Sequence, residues 1–313
     1  MSDPLALPPL GLGCSSFGDL FGPVSDADIG RMVAMEVEKG RGTPFRAYFD
    51  VAPWYGTAEA RLGRALRPHA HARDDFVVST KVGRYRPAPG VMDFSAARTR
   101  RSVEASLDKL GVETLDIVFV HDVELAPSPS EVVDGCVPAL LDLRARQRIR
   151  YLGISGYPLD VLLAYIDRVP RGTFAYAMTY SHLNLHDAGL VDYMPRFAER
   201  GVRVISAAPL SMGLLTDAGP PAWHPAPPGL RAAAVRAREA AGTQTRTLEA
   251  VALRYSLRLA GRIGAASTVC GARTPAELAA NWAVSSGTDA DETDADAGAV
   301  LVHFEAPGVP RSW

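Results

Sequence analysis

The sequence predicts a single (β/α)8 TIM barrel, an α/β fold in which eight parallel strands alternate with helices. Eight short apolar runs alternate along the 313 residues with longer segments of helical periodicity, and this alternation indicates parallel strands joined by helical crossovers. The run Asp116–His121 is almost continuously apolar, which is typical of a strand buried on both faces. Since such a barrel forms one domain at this length, we expect one domain over residues 1–313.

The strands are placed by the apolar runs. They are predicted at Gly11–Ser15, Arg46–Asp50, Phe76–Lys81, Asp116–His121, Tyr151–Ser155, Phe174–Thr179, Val202–Ala207 and Ala266–Cys270. An open, doubly wound sheet is the alternative, and it would be favoured by a G-x-G-x-x-G turn after the first strand. Gly11 and Gly13 are followed by Cys, Ser, Ser and Phe, so this fingerprint is absent and the barrel is favoured.

The helices are predicted from capping residues, from glycines that end a helix, and from hydrophobic periodicity. They are predicted to open near Ser25 or Asp26, and to lie at Thr57–Leu66, Ser95–Leu110, around Leu140–Leu143, after Pro158, at about Asp187–Arg200, near Thr245–Leu259 and from Thr274 to about Trp282. Ser25 can cap free backbone N–H groups, and Pro158 is tolerated in a first turn. Gly111 and Gly201 end the helices that precede them.

Two segments depart from this alternation. Leu210–Leu230 lies between the seventh strand and its helix and contains a proline-rich stretch at 219–229. A loop of this length in a compact barrel is typical of a lid or a binding loop. The atypical segment at about 286–313 carries an acidic run, which we expect to be a solvated surface turn or helix start. The run consists of Asp289, Asp291, Glu292, Asp294 and Asp296.

The composition argues against several classes of protein. Lys and Arg number 33 against 35 Asp and Glu, so no basic excess is available for nucleic acid. The first residues lack the pattern of a secretory signal, and no run of about 18 uncharged apolar residues predicts a transmembrane helix. Cys14, Cys136 and Cys270 are far apart in the sequence, which predicts buried free thiols in a reducing compartment. We therefore expect a cytoplasmic protein with no metal and no obligate protein partner.

Titratable residues of different kinds stand at the ends of the predicted strands. Asp50, Lys81 and His121 end the second, third and fourth strands, and Tyr55 follows the second. In a barrel these ends meet at the face that holds the active site. An ammonium beside a phenol lowers the phenol's pKa from about 10, a carboxylate can hold the lysine, and a histidine can orient a substrate oxygen. Tyr55 would then exchange a proton with a carbonyl or alcohol while a cofactor exchanges hydride.

The segments around these residues resemble the aldo-keto reductase family. They are Phe49–Gly56, Ser79–Gly83 and Val118–Asp122. Further segments narrow the resemblance to the branch of L-galactose dehydrogenase and related aldose 1-dehydrogenases. These are Phe21–Val24, Lys81–Tyr85, Met92–Ala96, Leu159–Val161, Asp167–Pro170, Pro209–Thr216 and Gly219–Pro225. The resemblance covers roughly residues 10–282.

The resemblance implies an enzyme that uses NAD to oxidise the anomeric carbon of an aldose, such as L-galactose, L-fucose or D-arabinose, to an aldonolactone. It implies Tyr55 as the general base, Lys81 as the residue that tunes it, Asp50 as the partner of Lys81, and His121 as the residue that orients O1 of the sugar. The cofactor contacts are expected at Ser155, Tyr180, Pro209, Leu210, Met212, Gly213, Gly271, Arg273, Glu277 and Asn281. Candidate sugar contacts are Trp54, Phe17, His182 and Trp223.

The loop after the eighth strand bears on the choice of cofactor. Relatives that use NADP bring a lysine and an arginine to the 2′-phosphate, and the resemblance puts Gly271 and Glu277 in those places. A carboxylate repels a phosphate but accepts a hydrogen bond from a ribose hydroxyl, so NAD is favoured over NADP. Arg273 lies nearby and leaves NADP open. Asn281 is expected to contact the adenine.

The chain departs from the wider family where relatives hold the nicotinamide amide. Many relatives place Ser-Asn after the fifth strand and a glutamine after the sixth, whereas this chain has Ser155-Gly156 and Tyr180. Ala207 stands where many relatives stack a tyrosine on the nicotinamide, and Tyr180 could replace that stacking partner. The L-galactose dehydrogenase branch shares these departures.

Two other functions stay open on the sequence alone. One is an NADPH-dependent aldehyde or ketone reductase with the same four residues, which Gly271 and Glu277 disfavour. The other is a non-catalytic, redox-sensing barrel that binds a cofactor and signals to a partner, which the complete set of four residues disfavours.

Overall fold

Parallel strands follow one another around a closed barrel in sequence order. The computed structural model describes residues 5–86, 91–243, 247–287 and 294–313. Within these ranges the barrel strands are β1 (Leu10–Gly13), β2 (Ala47–Asp50), β3 (Phe76–Val82), β4 (Leu115–Val120), β5 (Ile149–Ser155), β6 (Tyr176–Tyr180), β7 (Arg203–Ala207) and β8 (Ser267–Gly271). Strand β8 closes the barrel by pairing in parallel with β1. The predicted (β/α)8 fold is confirmed.

Helices surround this barrel. They are α1 (Asp26–Gly40), α2 (Ala58–Leu66), α3 (Ala96–Leu110), α4 (Val137–Ala145), α5 (Leu159–Asp167), α6 (Leu190–Glu199), α7 (Pro228–Thr243), α8 (Leu248–Ile263), α9 (Pro275–Ser286) and α10 (Asp294–Leu301). As predicted, Ser25 caps α1 by accepting a hydrogen bond from the backbone N–H of Asp28. Gly111 ends α3 in the left-handed conformation, also as predicted. None of the helices in the described ranges has the length and apolar character needed to cross a membrane.

Short elements connect the strands and helices. Five 3-10 segments lie within the described residues, at Cys14–Gly18, Pro53–Tyr55, Arg67–Asp75, Val123–Leu125 and Ser211–Gly213. A π-helical turn at Glu131–Cys136 leads directly into α4. A small antiparallel hairpin pairs Arg84–Tyr85 with Val91–Met92 between β3 and α3.

Helix α7 is not predicted from the sequence, and α10 begins at Asp294, within the acidic run for which a surface turn or a helix start was expected. Helix α7 begins at Pro228, so the long loop predicted for Leu210–Leu230 ends there. The buried face of α7 combines Leu230 with small side chains, which give a weak hydrophobic period; the small ones are Ala233, Ala234, Ala237 and Ala241. In the predicted acidic run, residues 289, 291 and 292 lie outside the described residues, and so do the side chains of 294 and 296.

The barrel interior is filled by pairing glycines with large aromatic side chains. A Cβ atom on Gly11 would lie 2.5 Å from Cδ1 of Tyr48, and one on Gly153 would lie 2.3 Å from Cδ1 of Phe119. Tyr48 and Phe119 are both fully buried. Glycine is therefore required at both positions, because the close packing leaves no volume for a Cβ atom.

A buried carboxyl group links α1 to α9. Glu36 is 4% exposed, and Nε1 of Trp282 donates a hydrogen bond of 3.0 Å to its Oε2. Burial raises the pKa of Glu36 from 4.5 to about 7. Between these two values the folded chain keeps a proton that the unfolded chain has released, so this group's contribution to stability falls as the pH rises from 4.5 to about 7.

We expect Glu36→Gln to stabilise the protein at about pH 8 and to have little effect at about pH 5, since glutamine removes the buried charge and keeps an acceptor for Trp282. The expected gain at the higher pH is about 3 kcal/mol. Thermal unfolding of parent and variant at both pH values measures it. The exposed Glu38, changed to glutamine in the same helix, is the control. A gain of equal size at both pH values would contradict the assignment to ionisation of Glu36.

Candidate active site

The strand ends bring the four predicted residues to one mouth of the barrel. Asp50 ends β2, Lys81 is the penultimate residue of β3, and His121 follows β4 directly. Tyr55 ends the short 3-10 turn that begins at Pro53. Pro53 suits the first position of this turn because its fixed φ matches a helical start, and the turn carries Tyr55 back over the end of the barrel beside Lys81.

A buried ion pair forms the base of this group. Nζ of Lys81 lies 2.6 Å from Oδ2 of Asp50 and also donates to the carbonyl of Val51 at 3.1 Å. Oγ of Ser79 donates to Oδ1 of Asp50 at 2.6 Å. Burial acts to lower the pKa of Lys81, but Asp50 and Tyr55 outweigh it, and the pKa is raised. Lys81 therefore stays charged while it is almost entirely removed from water.

Tyr55 is the acid–base candidate that this ammonium faces. Nζ of Lys81 lies 5.0 Å from the centre of the Tyr55 ring. Burial raises the pKa of Tyr55, and Lys81 opposes that shift without reversing it, whereas Asp50 reinforces it. The influence of Lys81 on the pKa of Tyr55 has the predicted direction, but in the protein alone removal from water is the larger effect. The Tyr55 hydroxyl is thus protonated at neutral pH.

His121 completes the group as a neutral imidazole. Its ring meets the Tyr55 ring edge-on, with the ring centres 6.2 Å apart. Burial lowers the pKa of His121 to about 4, although Asp122 acts in the opposite direction. Nδ1 is buried without a hydrogen-bond partner among the residues that the structure describes, and Nε2 lies 3.6 Å from Oδ2 of Asp122. A neutral imidazole with an unused nitrogen can hold one substrate oxygen without carrying charge.

An ion pair that is not predicted from the sequence lies beside His121. Asp122 follows His121, is buried, and forms an ion pair with Arg84 from the hairpin. The guanidinium of Arg84 also lies 4.1 Å from the centre of the Trp54 ring. The rule that placed His121 at a strand end could have found Asp122 one residue further on. Arg84 belongs to the segment Lys81–Tyr85 that carries the resemblance, but nothing in the sequence indicates its partner, which lies on another loop.

Backbone strain collects at the same mouth. Among the described residues that are not glycine, several with positive φ directly follow or closely follow a barrel strand, and they are Asp122, Ser181, Ala208, Ser211 and Met212. Positive φ is costly for residues with a side chain and persists where surrounding contacts impose it, often at functional sites. The predicted cofactor contacts Pro209, Leu210, Met212 and Gly213 lie in this strained stretch after β7.

Histidines fix the loop that follows β7. Nε2 of His186 lies 2.7 Å from Oγ of Ser211, and Nε2 of His224 donates to the carbonyl of Ser211 at 2.8 Å. Trp313 packs over this arrangement, with its ring 5.0 Å from that of His224 and stacked 5.8 Å from that of Tyr157. The predicted binding loop is therefore held in place by side chains from β6–α6 and from the last residues of the sequence.

Two of the four candidate sugar contacts are placed elsewhere than predicted. Phe17 is fully buried in the hydrophobic core, so its side chain cannot line a pocket. His182 has a protein partner at each ring nitrogen: Nδ1 lies 2.7 Å from Oδ2 of Asp187, and Nε2 lies 2.7 Å from the carbonyl of Tyr157. Both partners are acceptors, so His182 has no ring nitrogen left for a sugar hydroxyl.

The other two candidate sugar contacts lie at the rim. Trp54 precedes Tyr55 and is partly exposed beneath Arg84. Trp223 is 53% exposed and packs against Phe21, with ring centres 5.6 Å apart. Both side chains thus remain accessible to a ligand at the mouth.

The ends of β5 and β6 form the opposite side of the mouth. Oγ of Ser155 donates to the carbonyl of Val120 at 3.2 Å. Tyr180 pairs with Ala207 in the sheet and packs against Tyr157, with ring centres 5.2 Å apart. Burial raises the pKa of Tyr180, so its ring is an uncharged, partly covered surface at this side of the mouth.

The residues predicted to set cofactor choice pair with each other after β8. The backbone N–H of Arg273 donates to Oε2 of Glu277 at 2.8 Å, and its Nη2 lies 3.2 Å from Oε1 of the same carboxylate. Nη1 of Arg273 also donates to the carbonyl of Phe21. Asn281 stands one turn further along α9, with Nδ2 3.4 Å from the carbonyl of Gly271. The carboxylate therefore holds the guanidinium back along the start of α9.

The cysteines take no part in this group. All three are buried and free, as predicted. Burial raises the pKa of Cys136 and of Cys270 to about 12 and also raises that of Cys14. Thiols in this state are poor nucleophiles at neutral pH.

A closed barrel with Asp, Lys, Tyr and His at one mouth defines a class of oxidoreductase that moves a proton at oxygen while hydride moves at carbon. The chain belongs to the Aldo/keto reductase family, whose model matches residues 9–296. It is accordingly an oxidoreductase that acts on CH–OH groups and uses a nicotinamide cofactor.

Several relatives within this family are sugar dehydrogenases. The chain is 39% identical over 250 residues to L-galactose dehydrogenase from Arabidopsis thaliana, covering 79% of this chain and 76% of that one. It is 31% identical to D-arabinose 1-dehydrogenase from Saccharomyces cerevisiae, covering 66% and 64% of the two chains. It is 29% identical to D-threo-aldose 1-dehydrogenase from a Pseudomonas species, covering 69% and 70%.

Solved structures share the fold. An aldo-keto reductase from Bacillus halodurans superposes with a TM-score of 0.71 at 24% identity, covering 95% of this chain and 92% of that one. A glycerol dehydrogenase from Gluconobacter oxydans gives a TM-score of 0.69 at 23% identity, covering 98% and 95%. At this level of identity the likeness establishes the barrel architecture.

Proposed function

We propose that this protein oxidises an aldose at C1 to the aldonolactone and uses NAD as the hydride acceptor. The observation that carries the proposal is the buried Lys81–Asp50 pair beside Tyr55 and His121. The similarity to three sugar dehydrogenases supports the same reaction class. L-galactose, L-fucose and D-arabinose share the relevant ring configuration, so one pocket could accept all three.

The proton and the hydride leave the sugar by separate routes. His121, neutral because burial lowers its pKa to about 4, holds O1 by a hydrogen bond. Tyr55 accepts the proton from that oxygen, and Lys81 stabilises the resulting phenolate while Asp50 keeps Lys81 charged and in place. A nicotinamide, when bound, would supply the acceptor for the hydride that C1 loses. C1 thereby becomes the carbonyl carbon of the lactone.

The residues after β8 fit a nicotinamide dinucleotide. Gly271 is exposed, and a Cβ atom added to it would approach nothing closer than the Gly13 carbonyl at 3.7 Å. This open backbone allows a ligand to approach closely. The side-chain amide of Asn281 stands beside it and offers both a donor and an acceptor to an adenine edge.

The Asp122–Arg84 pair favours a polyhydroxylated substrate over a simple aldehyde. The carboxylate of Asp122 accepts hydrogen bonds, the guanidinium of Arg84 donates them, and both lie beside the residue that would hold O1. The adjacent Trp54 ring adds an apolar face of the kind that packs against a sugar ring. An apolar aldehyde would form no hydrogen bonds with this pair, whereas the hydroxyl groups of a sugar can both donate to it and accept from it.

The Arg273–Glu277 pair supports NAD over NADP. A 2′-phosphate would meet the Glu277 carboxylate, and Arg273 would have to leave that carboxylate to bind the phosphate. We expect Glu277→Ala to raise the ratio of kcat/KM for NADP to that for NAD by about tenfold, because it removes the repulsion and frees the guanidinium. Steady-state rates with each cofactor at a fixed sugar concentration measure this ratio.

The matched control for this variant is Asp142→Ala, which removes the acid from a similar ion pair between Asp142 on α4 and Arg146, four residues later at the end of that helix. That variant should leave the cofactor ratio unchanged. A Glu277→Ala ratio equal to that of the parent would show that this pair does not set cofactor choice.

The proposed reaction is tested by NADH formation with L-galactose, L-fucose, D-arabinose and D-glucose. We expect rapid turnover of at least one of the first three sugars with NAD and slower turnover with NADP. If no sugar is oxidised and NADPH instead reduces simple aldehydes, the reductase alternative replaces the proposal. Cofactor binding without turnover of either kind would instead support the redox-sensing alternative.

A further inference from the structure

Gly156 leaves a space that the side chain of another residue fills. It follows Ser155 at the end of β5, and its backbone N–H donates to the carbonyl of Met178 at 3.2 Å. A Cβ atom built on Gly156 would lie 2.3 Å from Oε2 of Glu124. The carboxyl group of Glu124 therefore occupies the volume into which any side chain at position 156 would project.

Glu124 is held in this position from the neighbouring strand. It lies in the 3-10 turn Val123–Leu125 that follows β4, two residues after Asp122. The backbone N–H of Tyr157 donates to its Oε1 at 2.9 Å. One oxygen of the carboxyl group is thus fixed by the chain segment that follows β5.

The second oxygen is buried and unused. Oε2 of Glu124 has no hydrogen-bond partner among the described residues and is removed from solvent. A buried polar atom without a partner costs free energy, and such atoms are rare in folded proteins unless a ligand or another group satisfies them. Burial, reinforced by the nearby Asp122, also raises the pKa of Glu124 to about 7. Both facts indicate that this oxygen is prepared for a hydrogen-bond donor.

The position matches one end of the reacting cofactor. Gly156 follows the β5 strand that pairs with β4, and His121 follows β4, so Glu124 and His121 flank the same part of the mouth. The hydride acceptor must lie against the carbon whose oxygen Tyr55 and His121 hold. A nicotinamide ring placed there carries a carboxamide with two N–H donors and one carbonyl acceptor, the groups that a buried carboxyl can bind.

We infer that Glu124 binds the carboxamide of the nicotinamide, in place of the side chain that Gly156 lacks. The inference rests on the proposed function only in that the chain binds a nicotinamide cofactor; it does not depend on the sugar. Oε2 accepts a hydrogen bond from the carboxamide nitrogen while Oε1 keeps its bond from the Tyr157 backbone. The carboxamide then fixes which way the ring faces, and hence which face of the ring meets the substrate.

The test compares three ligands by calorimetric titration without sugar: NAD, its 3-acetylpyridine analogue, and ADP-ribose. The analogue replaces the carboxamide nitrogen by a methyl group, and ADP-ribose has no nicotinamide. Glu124→Ala should weaken NAD binding by about tenfold, the value of one hydrogen bond to a charged or buried group. It should leave ADP-ribose binding unchanged, and it should weaken the analogue much less than NAD.

Two further variants keep the test informative. Gly156→Ala places a methyl group against Oε2, displaces the carboxyl group, and should give the same pattern across the three ligands. Its backbone is not in the left-handed region, so alanine is tolerated there. Glu113→Ala, an exposed glutamate in the loop before β4 at the other end of the barrel, is the matched control and should bind all three ligands as the parent does.

The outcomes separate this inference from the proposed function. Equal losses for all three ligands, or no loss for NAD in either the Glu124 or the Gly156 variant, would overturn the inference. A parent protein that binds NAD but oxidises no sugar would remove the proposed reaction and leave the role of Glu124 to be decided by the same titrations. A parent that binds none of the three ligands would overturn both.

Discussion

Replacing Tyr55 by phenylalanine is expected to lower kcat/KM for sugar oxidation by about 10³-fold, within the range for loss of a general base. The hydroxyl is the group that faces Lys81, and the remaining three residues cannot take its place. His121 is neutral, with a pKa of about 4. Lys81 is held in its charged state by Asp50, and Asp50 lies beneath Lys81 rather than at the rim. The ring itself is retained, so its contact with His121 should persist.

Initial rates of NADH formation measure this loss, and NAD titration of the variant shows whether cofactor binding is intact. Tyr151→Phe is the control, since Tyr151 lies on β5 toward the opposite end of the barrel. In the parent, burial raises the pKa of Tyr55, so the rate of oxidation should increase with pH into the alkaline range. A Tyr55→Phe enzyme with more than a tenth of the parent's kcat/KM would exclude Tyr55 as the base.

The sequence was sufficient to place the four site residues because each depends on the path of the backbone. Asp50, Lys81 and His121 all stand at or next to the ends of apolar runs, and the parallel barrel brings those ends together whatever the loops do. Tyr55 follows so closely after β2 that the Pro53 turn leaves it little freedom. The position of a site residue can therefore be predicted when that residue lies only a few residues from the end of a rigid strand.

Contacts between separate loops could not be predicted in the same way. Asp122 and Arg84 pair across two connections, and His182 binds Asp187 and the carbonyl of Tyr157. No spacing along the sequence specifies such partners. The burial of Phe17 has the same origin, because a loop residue can turn toward the core or toward solvent. These contacts decide which side chains remain available to a sugar.

The charges of Arg273 and Glu277 are both visible in the sequence, but their pairing was not predicted. Residues four apart at the start of a helix face each other, so an ion pair was predictable once α9 had been placed. On the sequence alone, the two charges are opposing indications of cofactor choice. The structure joins them in one ion pair, in which the carboxylate determines where the guanidinium lies.

Gly18→Ala is expected to lower kcat/KM by about 10²-fold through displacement of Tyr55, since a misplacement of about 1 Å has an effect of that size. Gly18 ends the 3-10 turn after β1, and a Cβ atom on it would lie 1.6 Å from the backbone oxygen of Tyr55 and 2.7 Å from the carbonyl carbon. Both are backbone atoms, so no rotation of a side chain can relieve the overlap. Either the β1 turn or the turn that carries Tyr55 must move.

The measurement is kcat/KM for the sugar together with the Tm and the affinity for NAD. Gly30→Ala is the control, because Gly30 lies within α1 with open space around its Cβ position, and alanine there should slightly stabilise the helix. Loss of activity with NAD binding retained would locate the effect at Tyr55, because the residues expected to hold the cofactor after β7 and β8 lie outside these two turns. Full activity in Gly18→Ala would instead mean that the β1 turn moves and the Tyr55 turn does not. The position of Tyr55 would then be set by Lys81 and β2 alone, without support from the first loop.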